Sequence, residues 1–187
     1  MVTNRPAEGS GFVLLVYKAV REPSRHRVSV WRRLKAVGAL YLQDSVCALP
    51  DDDEHRRFLA DLGHDLQQNG GDALVLVARG LDQTTERAVV SRFNAERDGD
   101  YAEIIDQCAA LLAEIEREQA KRNFSFAALE DTEGNLERLR RGSDTVTARD
   151  FFGAAGRKDA DALLARCGDT FDTFAAAVVD HSEIKPS

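Results

Sequence analysis

Short apolar runs dominate the first 80 residues of the chain and predict strands. Residues 12–17 are continuously apolar and rich in strand-forming side chains, which is typical of a central strand buried on both faces. Residues 73–78 form a second run of the same type. Between these two runs, residues 39–42 and 46–49 predict a pair of short strands around a tight turn. The hydrophobic pattern therefore predicts four strands in this part of the chain.

Two amphipathic segments separate these strands and predict helices. Residues 24–37 carry an apolar face and a cationic face, and they end at Gly38, a residue that adopts the left-handed helix C-cap conformation without strain. Residues 51–68 open with four acidic residues, which suit the positively polarised start of a helix. The resulting order β–α–β–β–α–β predicts an α+β, ferredoxin-like domain over residues 12–80, with an antiparallel sheet and both helices on one face.

Beyond residue 80, apolar residues recur at spacings of three and four residues, which predicts a series of helices. The predicted helices cover residues 84–98, 100–122, 129–141 and 158–180. The regular stripe along the second of them must be covered by the other helices, by the open sheet or by a second copy of the chain. We therefore predict an α-helical C-terminal extension over residues 81–182, packed on or beside the sheet, and expect a homodimer.

The composition is that of a folded chain, with 43% hydrophobic and 30% charged residues, and only residues 1–11 are expected to be disordered. No apolar run approaches the ~20 residues that span a bilayer, and the chain opens without a signal-peptide pattern. A cytoplasmic protein without a membrane partner is expected. The three cysteines and four histidines do not have the spacing of metal ligands, so neither a metal nor a cofactor is predicted. The cysteines are predicted to be buried thiols.

Positive charge is concentrated near the N-terminus of an acidic chain. Residues 1–50 carry eight Lys/Arg and three Asp/Glu, a net charge of +5, whereas the whole chain carries −7. Phosphate attraction acts locally, over a screening length of ~8–10 Å, so a basic segment on an acidic body can bind a polyanion. The candidate DNA- or oxyanion-binding residues are Arg25, Arg27, Arg32, Arg33 and Lys35. The same charges would equally serve only to keep an exposed helix soluble. Trp31 shares a helix face with Val30 and Leu34, so its side chain is predicted to pack in the core.

Several motifs along the chain resemble those of one protein family. They are Val30-Trp31-Arg32-Arg33-Leu34-Lys35, residues 38–43, residues 46–50, residues 93–98 and Arg149-Asp150-Phe151-Phe152-Gly153. Over most of residues 12–180 the chain resembles the N-terminal domain of the bacterial chromate-resistance regulator ChrB family, and more distantly the ferredoxin-like domain of the phenylacetate-pathway repressors. The resemblance implies a transcriptional regulator or accessory protein of chromate resistance, with promoter DNA and chromate or another oxyanion as expected partners. Because the sequence shows no N-terminal winged helix of the kind those repressors carry, DNA contact would come from the basic helix.

A different class of function stays open: an enzyme, or a protein that binds a small molecule or cofactor in a pocket at the junction of sheet and helices. Its candidate polar residues are Tyr41, Gln43, Asn94, Arg97, Asp98, Tyr101 and Arg149. Arg97, Asp98 and Tyr101 would equally serve to join two helices. The first strand ends in Tyr17 and Lys18, without the carboxylate that endonucleases of this fold use, and the chain has no phosphate loop or nucleophile elbow. No catalytic residue is therefore predicted, and an enzyme is less expected than a regulator.

Overall fold

The computed structural model describes residues 11–18 and 24–183. The chain divides into two compact units. Of the described residues, unit 1 contains 11–18, 24–94 and 149–152, and unit 2 contains 95–148 and 153–183. The disorder predicted for residues 1–11 lies outside the described residues, except at Gly11.

Unit 1 is built on a four-stranded sheet. Its elements are β1 (Phe12–Lys18), α1 (Ser24–Ala36), β2 (Leu40–Gln43), β3 (Val46–Pro50), α2 (Asp53–Gln68) and β4 (Asp72–Ala78). The strands lie in the order β2-β3-β1-β4, and neighbouring strands are antiparallel. The four predicted strands and two predicted helices are confirmed, with ends that shift by one or two residues. The expectation of an α+β chain is likewise confirmed.

One face of this sheet packs against α1 and α2. Alternate residues of β1 and β3 point to this face, because side chains alternate along a strand. The core on this side comprises Val13, Leu15, Cys47, Leu49, Leu34, Leu59 and Leu62, all fully buried. The packing of Leu34 against the sheet fixes the rotation of α1 about its axis, so the opposite side of this helix faces solvent.

Aromatic side chains cover part of the other face of the sheet. The ring of Phe12 stacks on that of Phe93 with centroids 6.2 Å apart, and Phe93 lies 5.2 Å from Phe152 and 6.1 Å from Phe151. Aromatic pairs of this kind add about 0.5–1.5 kcal/mol beyond the area that they bury. The Phe151-Phe152 pair thus belongs to the core of unit 1, although it follows Phe93 by more than 50 residues.

The interpretation of β4 as a strand buried on both faces is wrong. Leu74 and Val77 each expose 58% of their surface, and Leu76 exposes 48%. β4 lies at the edge of the sheet, whereas β1, with a similar apolar sequence, lies between two strands and is central as predicted. An apolar run alone does not distinguish a central strand from an edge strand, because burial also depends on strand order.

Unit 2 is helical. The helix α3 (Gln83–Ala120) begins in unit 1 and continues into unit 2, where α4 (Phe126–Ala148) and α5 (Arg157–Glu183) follow it. The core of this unit includes Tyr101, Ile104, Cys108, Ile115, Leu136, Cys167 and Phe174. The apolar stripe that the sequence predicts along residues 100–122 therefore packs against the other two helices of its own unit.

α3 is one continuous helix where the sequence predicted two. The predicted interruption lay near Gly99, but this glycine is helical and exposed. A glycine inside a helix costs about 1 kcal/mol relative to alanine, which weakens a helix without ending it. α4 is also longer than the predicted segment of residues 129–141. Within the described ranges, no helix combines the length and the apolar character needed to cross a membrane.

The three cysteines are buried thiols, as predicted. Cys47 lies in the core of unit 1, while Cys108 and Cys167 lie in the core of unit 2, and none of the three has any exposed surface. The Cys167 Sγ lies 3.5 Å from the carbonyl oxygen of Cys108, so these two residues join α3 to α5. Each cysteine thus acts as a small apolar residue in its core.

Candidate functional site

α1 presents three guanidinium groups to solvent. Arg25, Arg27 and Arg32 are exposed, whereas Val30 and Leu34 of the same helix are buried against the sheet. No ion pair or side-chain hydrogen bond joins these three arginines to another residue in the described part of the chain. Their charges are therefore available to an anion from solution.

Trp31 shares this exposed surface, so the expectation that it packs in the core is wrong. Its side chain is 50% exposed, and Val28 beside it is 43% exposed. At 100° per residue, Trp31 points about 90° away from the mean direction of Val30, Leu34 and Val37. The apolar face of α1 is narrower than its sequence suggests, and Trp31 lies at its margin next to the arginines.

Arg33 and Lys35 are less exposed than the other candidate basic residues of α1. The Arg33 Nη1 lies 2.6 Å from the Asp65 Oδ2 on α2, and its guanidinium lies 6.0 Å from the ring centroid of Phe58. This ion pair is half-exposed, so it contributes at most about 1 kcal/mol, but it occupies Arg33 and fixes its position. Lys35 lies in the last turn of α1 and is half-buried. The most exposed guanidinium groups of α1 are therefore those of Arg25, Arg27 and Arg32.

A shallow depression of about 440 Å³ lies between the side chains of α1. Its lining residues are Arg25, Val28, Ser29, Arg32 and Arg33, all on the same helix. Three guanidinium groups around a small apolar floor provide planar donors of the kind that bind phosphate and other oxyanions. Among the residues that the structure describes, no group of three or more His, Cys, Asp or Glu side chains could hold a metal ion.

Four of the alternative pocket residues lie in unit 1. The Tyr41 hydroxyl lies 3.1 Å from that of Tyr17, and burial, together with this hydrogen bond, raises the pKa of Tyr41 above its usual value. The Arg149 Nε donates a hydrogen bond to the carbonyl oxygen of Ala36 at the end of α1. Gln43 is exposed at the end of β2, and the side-chain oxygen of Asn94 is buried without a partner within the described residues.

The other three alternative residues lie in unit 2. The Asp98 Oδ1 accepts a hydrogen bond of 2.8 Å from the backbone N–H of Gly156, immediately before α5. Arg97 is 4% exposed and pairs with Asp100 at 2.9 Å, while Tyr101 is fully buried in the helical core. The Asp98 contact joins α3 to the start of α5, whereas the Arg97–Asp100 pair lies within α3. The seven residues are thus divided between the two units.

Of the two residues between the arginines of the depression, the helical wheel places Ser29 on the cationic face, whereas sequence reasoning missed Val28. Both line the depression, and Val28 lies between Arg25 and Arg32 on the helix surface, three residues after the first and four before the second. This spacing places the three side chains on one face and could have been found from the helical wheel. Val28 was missed because a valine within a basic face carries no chemical signal by itself.

The fold and this surface define a class of protein: an α+β chain whose first helix packs one side on an antiparallel sheet and presents a cationic side to solvent. A protein-family model described as "Protein ChrB, N-terminal" matches residues 27–184. The chain therefore belongs to the ChrB N-terminal family, as its motifs indicated, and this membership relates it to chromate resistance. No curated protein matches the chain significantly.

Proposed function

We propose that this protein is a regulator or accessory protein of chromate resistance that binds promoter DNA through the exposed side of α1. The observation that carries the proposal is the set of exposed guanidinium groups on α1: Arg27 lies one turn before the half-exposed Trp31, and Arg25 and Arg32 lie on the helix face around Val28. Arginines bind phosphate oxygens, and an exposed indole beside them offers an apolar contact to sugar or base. Membership of the ChrB N-terminal family supports this role. A DNA-binding role also implies a cytoplasmic location.

The same surface supports a second ligand of smaller size. Arg25, Arg32 and Arg33 line the depression on α1, and Arg33 is held in place by Asp65. Fixed planar donors suit a tetrahedral oxyanion such as chromate. In this second candidate function the oxyanion is the signal, and it would compete with DNA phosphates for the same guanidinium groups.

The ferredoxin-like organisation proposed for residues 12–80 is supported by the element order and by the strand order β2-β3-β1-β4. In such a unit the two helices lie on one face of the sheet. The proposed helical extension, residues 81–182, is supported by α3, α4 and α5. The basic surface would then belong to the first helix of the ferredoxin-like unit.

Titration of upstream promoter DNA at two or more salt concentrations tests the proposed function. Three phosphate contacts predict a slope of log K against log salt of about −2.7 for each copy of α1. The double variant Arg25→Ala/Arg32→Ala should reduce the magnitude of this slope by about 1.8 and weaken binding at least about tenfold at low salt. Trp31→Ala should weaken binding while leaving the slope unchanged.

Arg87→Ala is the matched control, because it removes one exposed positive charge from unit 1 at a site outside α1. Its affinity should stay within about twofold of that of the wild type, since distant charges are screened. Three results would refute DNA binding by α1: no binding at any salt concentration, an affinity that does not change with salt, or an equal loss of affinity in the control variant. Titration with chromate alone, followed by Trp31 fluorescence, separately tests the oxyanion.

A further inference from the structure

The hydroxyl groups of Tyr17 and Tyr41 meet above β3, on the face of the sheet that packs against α1 and α2. Tyr41 of β2 pairs with Cys47 of β3, and Tyr17 of β1 lies two residues after Leu15, which pairs with Cys47 from the other side. The two rings therefore approach each other across β3, and their hydroxyl oxygens lie 3.1 Å apart. Both rings pack against the core of unit 1 but are only partly buried, so this hydroxyl pair is within reach of a ligand from solution.

The hydroxyl pair has one hydrogen-bond donor to spare. A phenol hydroxyl carries one hydrogen and two acceptor lone pairs, so two hydroxyls that share one hydrogen bond keep a second hydrogen. In the described part of the chain, neither Tyr17 nor Tyr41 makes another side-chain hydrogen bond. Burial raises the pKa of both tyrosines, so both hydroxyls keep their hydrogens at neutral pH. The pair can therefore donate one hydrogen bond to an oxygen atom of a ligand.

Arg27 places a positive charge near the hydroxyl pair. Burial raises the pKa of Tyr17, and the charge of Arg27 acts in the opposite direction on the same pKa. At 100° per residue, Arg27 points about 50° away from the mean direction of the buried face of α1. Its guanidinium is exposed and makes no ion pair or side-chain hydrogen bond with another described residue. Arg27 therefore lies between the sheet and solvent, on the side of α1 that is near Tyr17.

Arg27 is separate from the depression on α1. The lining residues of that depression do not include it. On the helical wheel, Arg27 points about 140° away from Arg32 and about 160° away from Arg25, but only about 40° away from Trp31. The surface of α1 therefore has two cationic parts, one formed by the depression and the other by Arg27 beside Trp31.

We propose that Arg27 and the hydroxyl pair form a second anion-binding site of unit 1, which holds one tetrahedral oxyanion group. The guanidinium supplies the positive charge and planar donors for two oxygens, and the hydroxyl pair donates to another oxygen. The group is a phosphodiester of DNA or a free oxyanion, which present the same oxygen geometry. The site rests on the proposed function for the identity of its ligand, whereas its geometry is independent of that function.

The hydroxyl pair makes this site more selective than an exposed arginine alone. Each tyrosine ring is held by packing and by its partner, so the donor loses little freedom when a ligand binds. A hydrogen bond to a charged group changes affinity by about tenfold or more. Replacing one tyrosine by phenylalanine removes this contact and keeps both the ring and the charge of Arg27.

Titration of the full chain with inorganic phosphate at constant ionic strength tests the site. Trp31 is the single tryptophan of the chain and lies beside Arg27, so its fluorescence reports binding. Tyr41→Phe and Arg27→Ala should each raise the dissociation constant for phosphate at least about tenfold. Arg87→Ala is the matched control, because it removes an exposed charge from unit 1 outside α1, and it should change the constant by less than about twofold. Circular dichroism should show that all three variants are folded.

The double variant Arg25→Ala/Arg32→Ala separates the second site from the depression. It removes two guanidinium groups of the depression and leaves Arg27 and the hydroxyl pair unchanged. In this background, phosphate should still change the fluorescence of Trp31. Adding Tyr17→Phe to the double variant should then raise the dissociation constant at least about tenfold.

Promoter DNA identifies the source of the anion. If the site holds a DNA phosphate, Arg27→Ala should reduce the magnitude of the slope of log K against log salt by about 0.9. Tyr41→Phe should then weaken DNA binding by about tenfold without changing this slope, because it removes no charge. If DNA does not bind, while phosphate binding depends on Tyr41 and Arg27, the ligand is a free oxyanion. In that case the proposed DNA binding fails and the second site stands.

Three results overturn the proposal. Affinities for phosphate and DNA that are unchanged in Tyr17→Phe, Tyr41→Phe and Arg27→Ala exclude the site. A phosphate response of the wild type that disappears in Arg25→Ala/Arg32→Ala assigns the anion to the depression. An equal loss in the control variant shows only general attraction to positive charge.

Discussion

The thiol of Cys47 lies in a fully apolar part of the unit 1 core, between two strands and two helices. Burial raises the pKa of Cys47 to about 12, and burial also raises the pKa of Cys108 to about 12. A thiolate is the reactive form of cysteine, and an environment that excludes it makes the side chain inert. These cysteines therefore contribute packing to the folded protein and reactivity only to the unfolded chain.

The raised thiol pKa values predict a loss of stability at alkaline pH. Since an unfolded thiol ionises near pH 9 and these two ionise near pH 12 in the fold, their contribution is complete below pH 9 and is lost as pH rises from 9 to 12. Each thiol should lower the free energy of unfolding by roughly 1.4 kcal/mol per pH unit above 9. Urea denaturation at pH 7 to 10 measures this loss. In Cys47→Ala the loss should be smaller, and an unchanged loss would contradict the assignment to Cys47.

The side chain of Asp52 caps the N-terminus of α2, and its removal should destabilise unit 1. The Asp52 Oδ1 accepts a hydrogen bond of 2.7 Å from the backbone N–H of His55. Asp52→Ala leaves that N–H without its partner and should cost about 1 kcal/mol in a denaturant titration. Asp53→Ala is the control, because it removes the same charge from the first turn without removing the cap. An equal loss in both variants would mean that charge, rather than capping, is responsible.

At the scale of single elements, α3 remains helical at Gly99, although glycine is unfavourable inside a helix. Gly99 lies near the middle of a helix of 38 residues, where it exposes backbone and adds flexibility to the unfolded chain. A Cβ added at this position would meet no atom within 4 Å. Side chains on either side, such as Phe93 and Tyr101, are buried in their respective cores. Tertiary packing on both sides of the glycine therefore stabilises the continuous helix.

Gly99→Ala should stabilise the protein. Alanine has the higher helix propensity and restricts the unfolded chain, so a gain of about 0.5–1 kcal/mol is expected. Gly38→Ala provides the opposite case, because Gly38 has a φ of 77° after α1 and an alanine there is strained. Thermal denaturation of both variants should show a higher midpoint for the first and a lower one for the second. A lower midpoint for Gly99→Ala would indicate an interrupted helix.

The sequence predicted the elements of unit 1 well because each has its own local signal. Residues 12–17 are an apolar run, and Gly38 and Asp52 mark helix ends, so periodicity and capping are sufficient. The exposure of β4 and of Trp31 could not be derived in the same way. The first depends on which strand lies at the edge of the sheet, and the second on how α1 is rotated against it. The candidate surface on α1 was therefore only partly predicted: its arginines were named, but the apolar residues among them were not.

At the scale of the whole molecule, the chain contributes to unit 1 twice. It leaves this unit after residue 94 and returns for the segment Arg149–Phe152. Phe151 lies 5.1 Å from the ring of His55, and Phe152 lies 6.4 Å from that of Phe12. The sequence predicted neither a helix nor a strand at this segment and did not indicate its contacts, because no local pattern shows which distant residues an isolated aromatic pair contacts.

Phe152→Ala should therefore destabilise unit 1, even though Phe152 follows Asn94, where the chain leaves this unit, by more than 50 residues. Truncation of a buried phenylalanine costs about 3–5 kcal/mol, and for this partly buried ring we expect about 2 kcal/mol. Hydrogen exchange of the β1 amides measures the change directly. Phe126→Ala is the control, since its exposed ring should contribute less than about 0.5 kcal/mol. Unchanged protection of β1 in Phe152→Ala would show that the aromatic contacts add nothing to the sheet.

The returning segment also has a consequence for synthesis on the ribosome. All four strands of the sheet have been translated by residue 78, but the aromatic pair that covers part of its second face comes more than 70 residues later. At about 5–20 residues per second, the Phe12 face of the sheet therefore stays incompletely covered for roughly 4–15 seconds. During that interval the apolar face and the bare β4 edge are both open to other nascent chains. A chaperone that binds early in translation would therefore increase the yield of folded protein more than one that binds after release.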